Sequence, residues 1–323
     1  MAWTIDGSGL LAFPGIIDGH VHIIGGGGED GFTSRINEID IHDILMADVT
    51  TVVGLLGADH HTKSLFSLLA KAKSLQTQGI TTFIYSGSYA VPAVTFSGDI
   101  AADLILIDKV IGAGEIAISD HRSSHPGLND LMSLASRVHM GGMIGEKAGI
   151  LHFHLGEGKD GLSIVNELIQ RTDLPIEMFL PTHVNRNPAL FKQATEYAKS
   201  GGSIDLTAGE EKGICLPDAV INLINSGVDM QRVTASSDAN GSIPGGGAGK
   251  IQTLYDDIFS CITQTGLSPE NVLPLVTVNA AMRLRQYPKK GTLSEGSDAD
   301  ILIVNKNYKI EKLFAMGKEV WGI

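Results

Sequence analysis

Three observations predict an α/β protein, a (β/α)8 TIM barrel with a small β domain formed by the chain termini. Eight short β-rich runs alternate with helical stretches, and strict βα alternation implies parallel strands with right-handed crossovers. His20, His22, Tyr89, His121, His154, His183 and Asp238 all fall at or just after the C-terminal ends of those runs, the face on which barrel active sites are assembled. After Asn279 β-like runs recur with no helix long enough to continue the barrel. A doubly wound sheet is the alternative, but its ligands gather at one crevice rather than around a whole rim.

In chain order, residues 1–14 read as a short β segment ending at Pro14, the N-terminal part of the small β domain. The barrel is placed at 15–289, with strands at 15–22, 48–56, 81–89, 115–121, 149–156, 177–185, 202–210 and 232–241. The helical stretches 62–79, 130–142 and 189–202 each end in glycine, as a helix stop does. Residues 290–323 complete the β domain.

Composition narrows the function. A formal charge of -12 over 323 residues argues against nucleic acid and membrane as partners and favours a small molecule. The two cysteines, Cys215 and Cys261, are too few for a disulfide framework or a thiolate zinc site and suggest a reducing, cytoplasmic setting. The opening MAWTIDGSGLLAFPG lacks the basic start of a signal peptide, and no apolar run approaches the ~18 residues of a membrane span.

His20 and His22, two apart on a strand, share one face and could share one metal ion. A lone histidine is usually a hydrogen-bonded core or surface residue. Four histidines and Asp238 at one barrel mouth outweigh that reading and make a nitrogen-and-oxygen site suited to zinc or a similar divalent ion. His152 is assigned to the helix-facing side of its strand and to a structural role, as are His42, His60, His61, His125 and His139. His121 is assigned a supporting role beside the site. The loop GGGGED (25–30) sets two acids where a phosphate would lie, and PGGGAGKI (244–251) has Pro244 and Ile251 where a phosphate loop needs Gly and Ser or Thr. Both read instead as loops rimming a pocket, the first carrying Glu29.

GIIDGHVH, the single candidate ligands on later strands and the closing GTLSEGSDADILIV resemble the amidohydrolase superfamily. Within it, GHVHIIGGGGE, VVGLLG, ISDHRSS, LPTHVNRN and SSDANGS resemble isoaspartyl (β-aspartyl) dipeptidase, from about Phe13 to the C-terminus. The resemblance implies two Zn2+ ions, or one: His20, His22 and Asp238 hold the first, and His154 and His183 the second. It implies that Glu29 binds the substrate α-amino group, Arg122 and Arg186 its carboxylates, Tyr89 the oxyanion, and that Gly27 and Ser242 add substrate contacts. It also implies a homo-oligomer. Three departures stand out. Glu115 occupies the position of a bridging carboxylated lysine, Ala58 replaces a threonine, and the N-terminal β segment is short, which predicts a reduced β domain or an incomplete coding sequence.

The reading is thus a metallo-dipeptidase in which a metal-bound hydroxide attacks β-aspartyl dipeptides and Asp238 acts as general base and acid. The alternatives are an amidohydrolase for another N-acyl amino acid or a cyclic amide, and a catalytically inactive barrel.

Overall fold

β-branched residues crowd the strand runs, and Gly, Asp and Ser punctuate them, so the chain folds into short strands joined by helices. The computed structural model describes residue 4, residues 6–243 and residues 246–320. Parts of three sequence expectations lie outside the described residues: 1–3 and 5 of the N-terminal segment, 244–245 of the second glycine loop, and 321–323 of the C-terminal segment.

β1 (Leu10–Pro14) precedes eight strands, β2 (Ile16–Val21), β3 (Val49–Gly54), β4 (Thr81–Ser86), β5 (Val110–Ile118), β6 (Ile150–Leu155), β7 (Phe179–Thr182), β8 (Ile204–Thr207) and β9 (Val233–Ser236). Between and after them lie α1 (Ile41–Met46), α2 (Leu65–Thr77), α3 (Ile100–Leu106), α4 (Leu128–Ile144), α5 (Ser163–Arg171), α6 (Pro188–Lys199), α7 (Leu216–Asn225) and α8 (Gln252–Thr263). β2 to β7 form one parallel sheet in sequence order, and β8 pairs with β9 in parallel. A parallel bridge between Val21 and Ala239, with His22 N–H donating to Ala239 O at 2.9 Å, brings the first strand back to the last. The sheet is curled, an arrangement consistent with a (β/α)8 barrel. Leu151, Phe153 and Leu155 of β6 pack outward against the helices, while Ile150 joins Ile17, Val53, Tyr85 and Leu180 in an inner core.

β10 (Ile301–Asn305), β11 (Ile310–Ala315) and β12 (Lys318–Glu319) join β1 in a four-stranded antiparallel sheet, ordered β1-β10-β11-β12. It meets the barrel where Gly15 N–H donates to Asp300 O and Tyr255 OH to Tyr308 O. Among the described residues no helix is long and apolar enough to cross a membrane.

Two expectations change. The fourth barrel strand starts at Val110, five residues before 115, because the small residues of VIGAG carry no apolar alternation yet extend well. Glu115 therefore lies mid-strand, inside an irregular register between Ala113 and Ile116. Helix α4 does not stop at Gly141–Gly142 but runs to Ile144. Those glycines serve close packing instead: a Cβ on Gly141 would stand 2.9 Å from Ala101 Cα, and one on Gly142 2.6 Å from Gly149 Cα.

Candidate active site

Strand parity and strand ends deliver the polar side chains to one mouth. His20 and His22 come from the end of β2, Glu115 from within β5, His154 from β6, and His183 and Asp238 from just beyond β7 and β9. His183 (φ 59°) and Asp238 (φ 52°) both adopt the left-handed conformation, uncommon outside glycine, that turns a strand-end side chain inward. The structure brings all six predicted donors together. His20, His22 and Glu115 form one group that could hold a metal ion, Glu115, His154 and His183 a second, and His20, His183 and Asp238 a third.

Unpaired atoms identify what the site is built for. His20 Nε2, Glu115 Oε2 and Asp238 Oδ1 are buried without a hydrogen-bond partner. His20 Nε2 stands 3.6 Å from Glu115 Oε2 and 3.4 Å from Asp238 Oδ1, and His22 Nε2 lies 3.2 Å from Asp238 Oδ1 and 3.8 Å from Glu115 Oε2. None of these four contacts is a hydrogen bond, whereas ligands ~2.1 Å from a tetrahedral ion stand roughly 3.4 Å apart. The donor set fits a divalent cation. On the other side Glu115 Oε1 is 2.5 Å from His154 Nδ1 and 3.2 Å from His183 Nε2, so a single carboxylate faces both groups.

Electrostatics favours a cation there too. Burial opposes ionisation of Glu115, yet the imidazoles of His20, His154 and His183 hold its carboxyl well below the usual range. Burial likewise opposes ionisation of Asp238, and His183, His20 and His22 outweigh it. Burial first, and then the Glu115 charge, push the Tyr89 hydroxyl well above its ordinary value, so it stays a proton donor.

Orienting contacts surround the donors. The Thr207 hydroxyl meets His183 Nδ1 at 2.7 Å. Asp120 Oδ2 meets His154 Nε2 at 2.9 Å, which leaves Nδ1 facing Glu115, the pairing of carboxylate and imidazole that fixes a ligand's tautomer. Asp18 accepts from Ser237 N–H and Oγ–H and from His20 N–H, tying β2 to the turn that carries Asp238. A Cβ on Gly57 would lie 2.9 Å from His22 Cε1, so glycine makes room for that ring, with Ala58 half-buried beside it.

The predicted substrate residues gather on the same rim. Glu29 Oε1 accepts from Ser242 Oγ at 2.6 Å and from Arg122 Nη1 at 3.1 Å. Burial opposes its ionisation, but Ser242 and Arg122 hold its carboxyl below the usual range. Arg122 also grips Asp120 through Nε at 3.0 Å and Nη2 at 2.9 Å. Arg186 Nη1 lies 3.1 Å from Leu155 O and 3.4 Å from His154 Nε2, and Tyr89 OH is 3.0 Å from His154 Nδ1. Gly27 holds a left-handed turn (φ 74°) in which a Cβ would stand 2.1 Å from Ser34 O.

Two assignments are corrected. His152 does not face the helices: residues two apart on a strand share a side, so it points into the barrel with His154, and its Nε2 meets His20 Nδ1 at 2.9 Å. The parity of β6 was signal enough to find it. His121 turns to solvent, with its side chain 89% exposed, and its neighbour Asp120 makes the supporting contacts instead. Asp120 was legible only as one carboxylate in SDHRSS.

This donor set at the mouth of a curled parallel sheet defines a metal-centre hydrolase. The chain belongs to the amidohydrolase family, whose sequence profile matches residues 11–320. It is similar to the β-aspartyl dipeptidase of thermophilic keratin-degrading Fervidobacterium islandicum AW-1, solved in complex with β-Asp-Leu. The two share 45% identity and a TM-score of 0.92, covering 96% of this chain and 84% of that one. The N-acetylglucosamine-6-phosphate deacetylase of Pasteurella multocida, at 11% identity and a TM-score of 0.64 over 98% of this chain and 88% of that one, shares the fold. An imidazolonepropionase of Colwellia psychrerythraea is 23% identical over 97% of this chain and 80% of its own length.

Proposed function

We propose that this protein hydrolyses β-aspartyl dipeptides. The observation that carries the reading is the rim set Glu29, Ser242 and Arg122, joined through Asp120 and His154 to the metal-ligating groups. The 45% identity to a β-aspartyl dipeptidase supports it. A β-aspartyl dipeptide carries one ammonium and two carboxylates, and the rim offers one carboxylate and two guanidiniums.

The nitrogen-and-oxygen donors suit Zn2+, one ion or two: His20, His22 and Asp238 would hold the first, His154 and His183 the second, with Glu115 within reach of both groups. When bound, such ions polarise the scissile carbonyl and acidify water, supplying a hydroxide near neutral pH. The remaining steps belong to the chain. Glu29 takes the substrate α-ammonium, Ser242 and the Gly27 turn hold Glu29 in position, and Arg122 and Arg186 take the carboxylates. The Tyr89 hydroxyl donates a hydrogen bond to the oxygen that becomes negative. Asp238, ionised and partly open to the mouth, accepts a proton from the attacking water and passes it to the leaving amine. The test is hydrolysis of β-Asp-Leu by metal-loaded protein, with and without chelator; undiminished turnover after chelation sinks the mechanism.

A second reading rests on Ala58, where the resemblance expects threonine: hydrolysis of another N-acyl amino acid or a cyclic amide. A substrate panel separates the two. We assign residues 1–14 and 290–323 to a small β domain on a barrel of 15–289. The setting we propose is a cytoplasmic homo-oligomer, in keeping with the free thiols of Cys215 and Cys261.

A further inference from the structure

Lys63 has no role in the chemistry, yet its ammonium is fully engaged close to the site. Its residue is only 9% exposed. No carboxylate of the described residues pairs with it. Instead its ammonium donates to the backbone carbonyls of Gly26 (2.8 Å), Ile24 and Ile36 (3.3 Å each), and to that of Gly25. These carbonyls belong to the two arms of the loop that leaves β2, arms otherwise joined by Ile36 N–H to Gly26 O at 3.1 Å and Ile39 N–H to Ile23 O at 3.2 Å. Glu29 sits in the turn between those arms.

Carbonyls converging on one point repel each other unless a cation sits among them, and glycine-rich backbone has many other conformations open to it. The loop after β3 supplies that cation. It braces the turn a second time through Arg35, whose Nη1 lies 2.9 Å from Asp59 Oδ2. Below, Gly26 N–H donates to Asn240 O at 2.7 Å, two residues from Asp238. A rigid path therefore runs from the β9 turn through the carbonyl cradle to Glu29.

We propose that Lys63 is a positioning residue for substrate selection: it holds residues 24–36 so that Glu29 meets the α-ammonium of the substrate. The inference rests on the dipeptidase reading and deepens it. Its test uses β-Asp-Leu and N-succinyl-leucine, the same molecule without the α-amino group, with metal-loaded Lys63→Met. The expected result is a rise in KM for β-Asp-Leu of about 10- to 100-fold, the scale of a lost charge-assisted contact, with kcat nearly kept. The preference for β-Asp-Leu over N-succinyl-leucine falls by the same factor, and amide exchange in 24–36 speeds up while bound metal is unchanged. Should Lys63→Met fail to fold, Lys63→Gln, which keeps two N–H donors, shows the same changes in milder form.

An equal loss on both substrates, or unchanged exchange in 24–36, overturns the proposal and leaves Lys63 a stability residue. If the wild type hydrolyses neither compound, the dipeptidase reading fails instead. The exchange experiment then decides alone whether Lys63 orders the loop: faster exchange in Lys63→Met keeps that ordering role, and unchanged exchange removes it.

Discussion

The mouth of the barrel and its opposite end both bury charge, and they treat it in opposite ways. At the mouth His20 Nε2, Glu115 Oε2 and Asp238 Oδ1 converge without hydrogen-bond partners. Inside the barrel and at its far end, buried charge is answered. Asp205 accepts hydroxyl protons from Thr182, Thr234 and Ser236, joining β7, β8 and β9, and Lys290 meets Asp298 at 2.9 Å and Asp300 at 2.5 Å. Satisfied buried charge holds the fold, whereas convergent unsatisfied charge reserves a place for something else.

Breaking the mouth has the largest expected effect. Asp238→Asn removes a donor and the proton acceptor together, and turnover of β-Asp-Leu falls by about 10³-fold, the scale of lost acid–base catalysis. The fold tolerates the change, because Asp238 Oδ1 makes no hydrogen bond that stability depends on. Parallel kinetics and thermal melts check both halves: a melt that collapses with activity contradicts the contrast. Breaking the far end works in reverse. Lys290→Met strands Asp300 and Asp298 and costs about 3–5 kcal/mol, read as a lower urea midpoint, with kcat kept in the protein that remains folded.

Asp48 is the exception that sharpens the rule. Both its carboxyl oxygens are buried and unpaired, and burial pushes its pKa up to about 8. Among the described residues no group of metal-donor atoms includes it, so it is a cost rather than a site. The unfolded chain ionises this group near pH 4 while the folded one retains the proton, so stability falls as pH rises from about 4 to about 8. Asp48→Asn cannot ionise and tolerates the left-handed backbone (φ 60°). It gains at most about 4 kcal/mol over wild type at pH 7 and almost nothing at pH 4. Identical pH-stability profiles for the two proteins refute this.

What was legible in the sequence follows the range of the interactions. Strand order and five of the six donors were readable because period-two alternation and strand ends are local signals; Glu115, mid-strand, was legible only through the family resemblance. The start of β5 was not, since VIGAG has no polar partner face to betray its extension. Asp120 was hidden because its value lies in contacts to Arg122 and His154, the latter 34 residues away in sequence. Lys63 was swallowed by a helical stretch: Ser64, accepting from Ser67 N–H, caps α2 and leaves Lys63 just outside, free to reach carbonyls up to 39 residues back.

His152 differs from these, since the rule that places it is local and applies to His154 two residues on. It lies one layer below the mouth, between satisfied and unsatisfied charge. Its Nε2 meets His20 Nδ1 at 2.9 Å, and its ring stacks on Tyr85 at 5.1 Å between centroids. If His20 binds an ion through Nε2, its Nδ1 carries the proton and donates to His152, which fixes the tautomer and turns the ring toward Glu115 and Asp238. His152→Leu keeps the packing volume and removes the acceptor, so metal affinity drops about 10- to 100-fold in a chelator competition, the smallest of these effects. His152→Gln, with an amide oxygen in reach, recovers part of it. Tyr85→Phe is the control: its hydroxyl has no partner, so affinity stays at the wild-type value. Unchanged affinity in His152→Leu would place the ring with the satisfied core and move the boundary between the two regions one layer up.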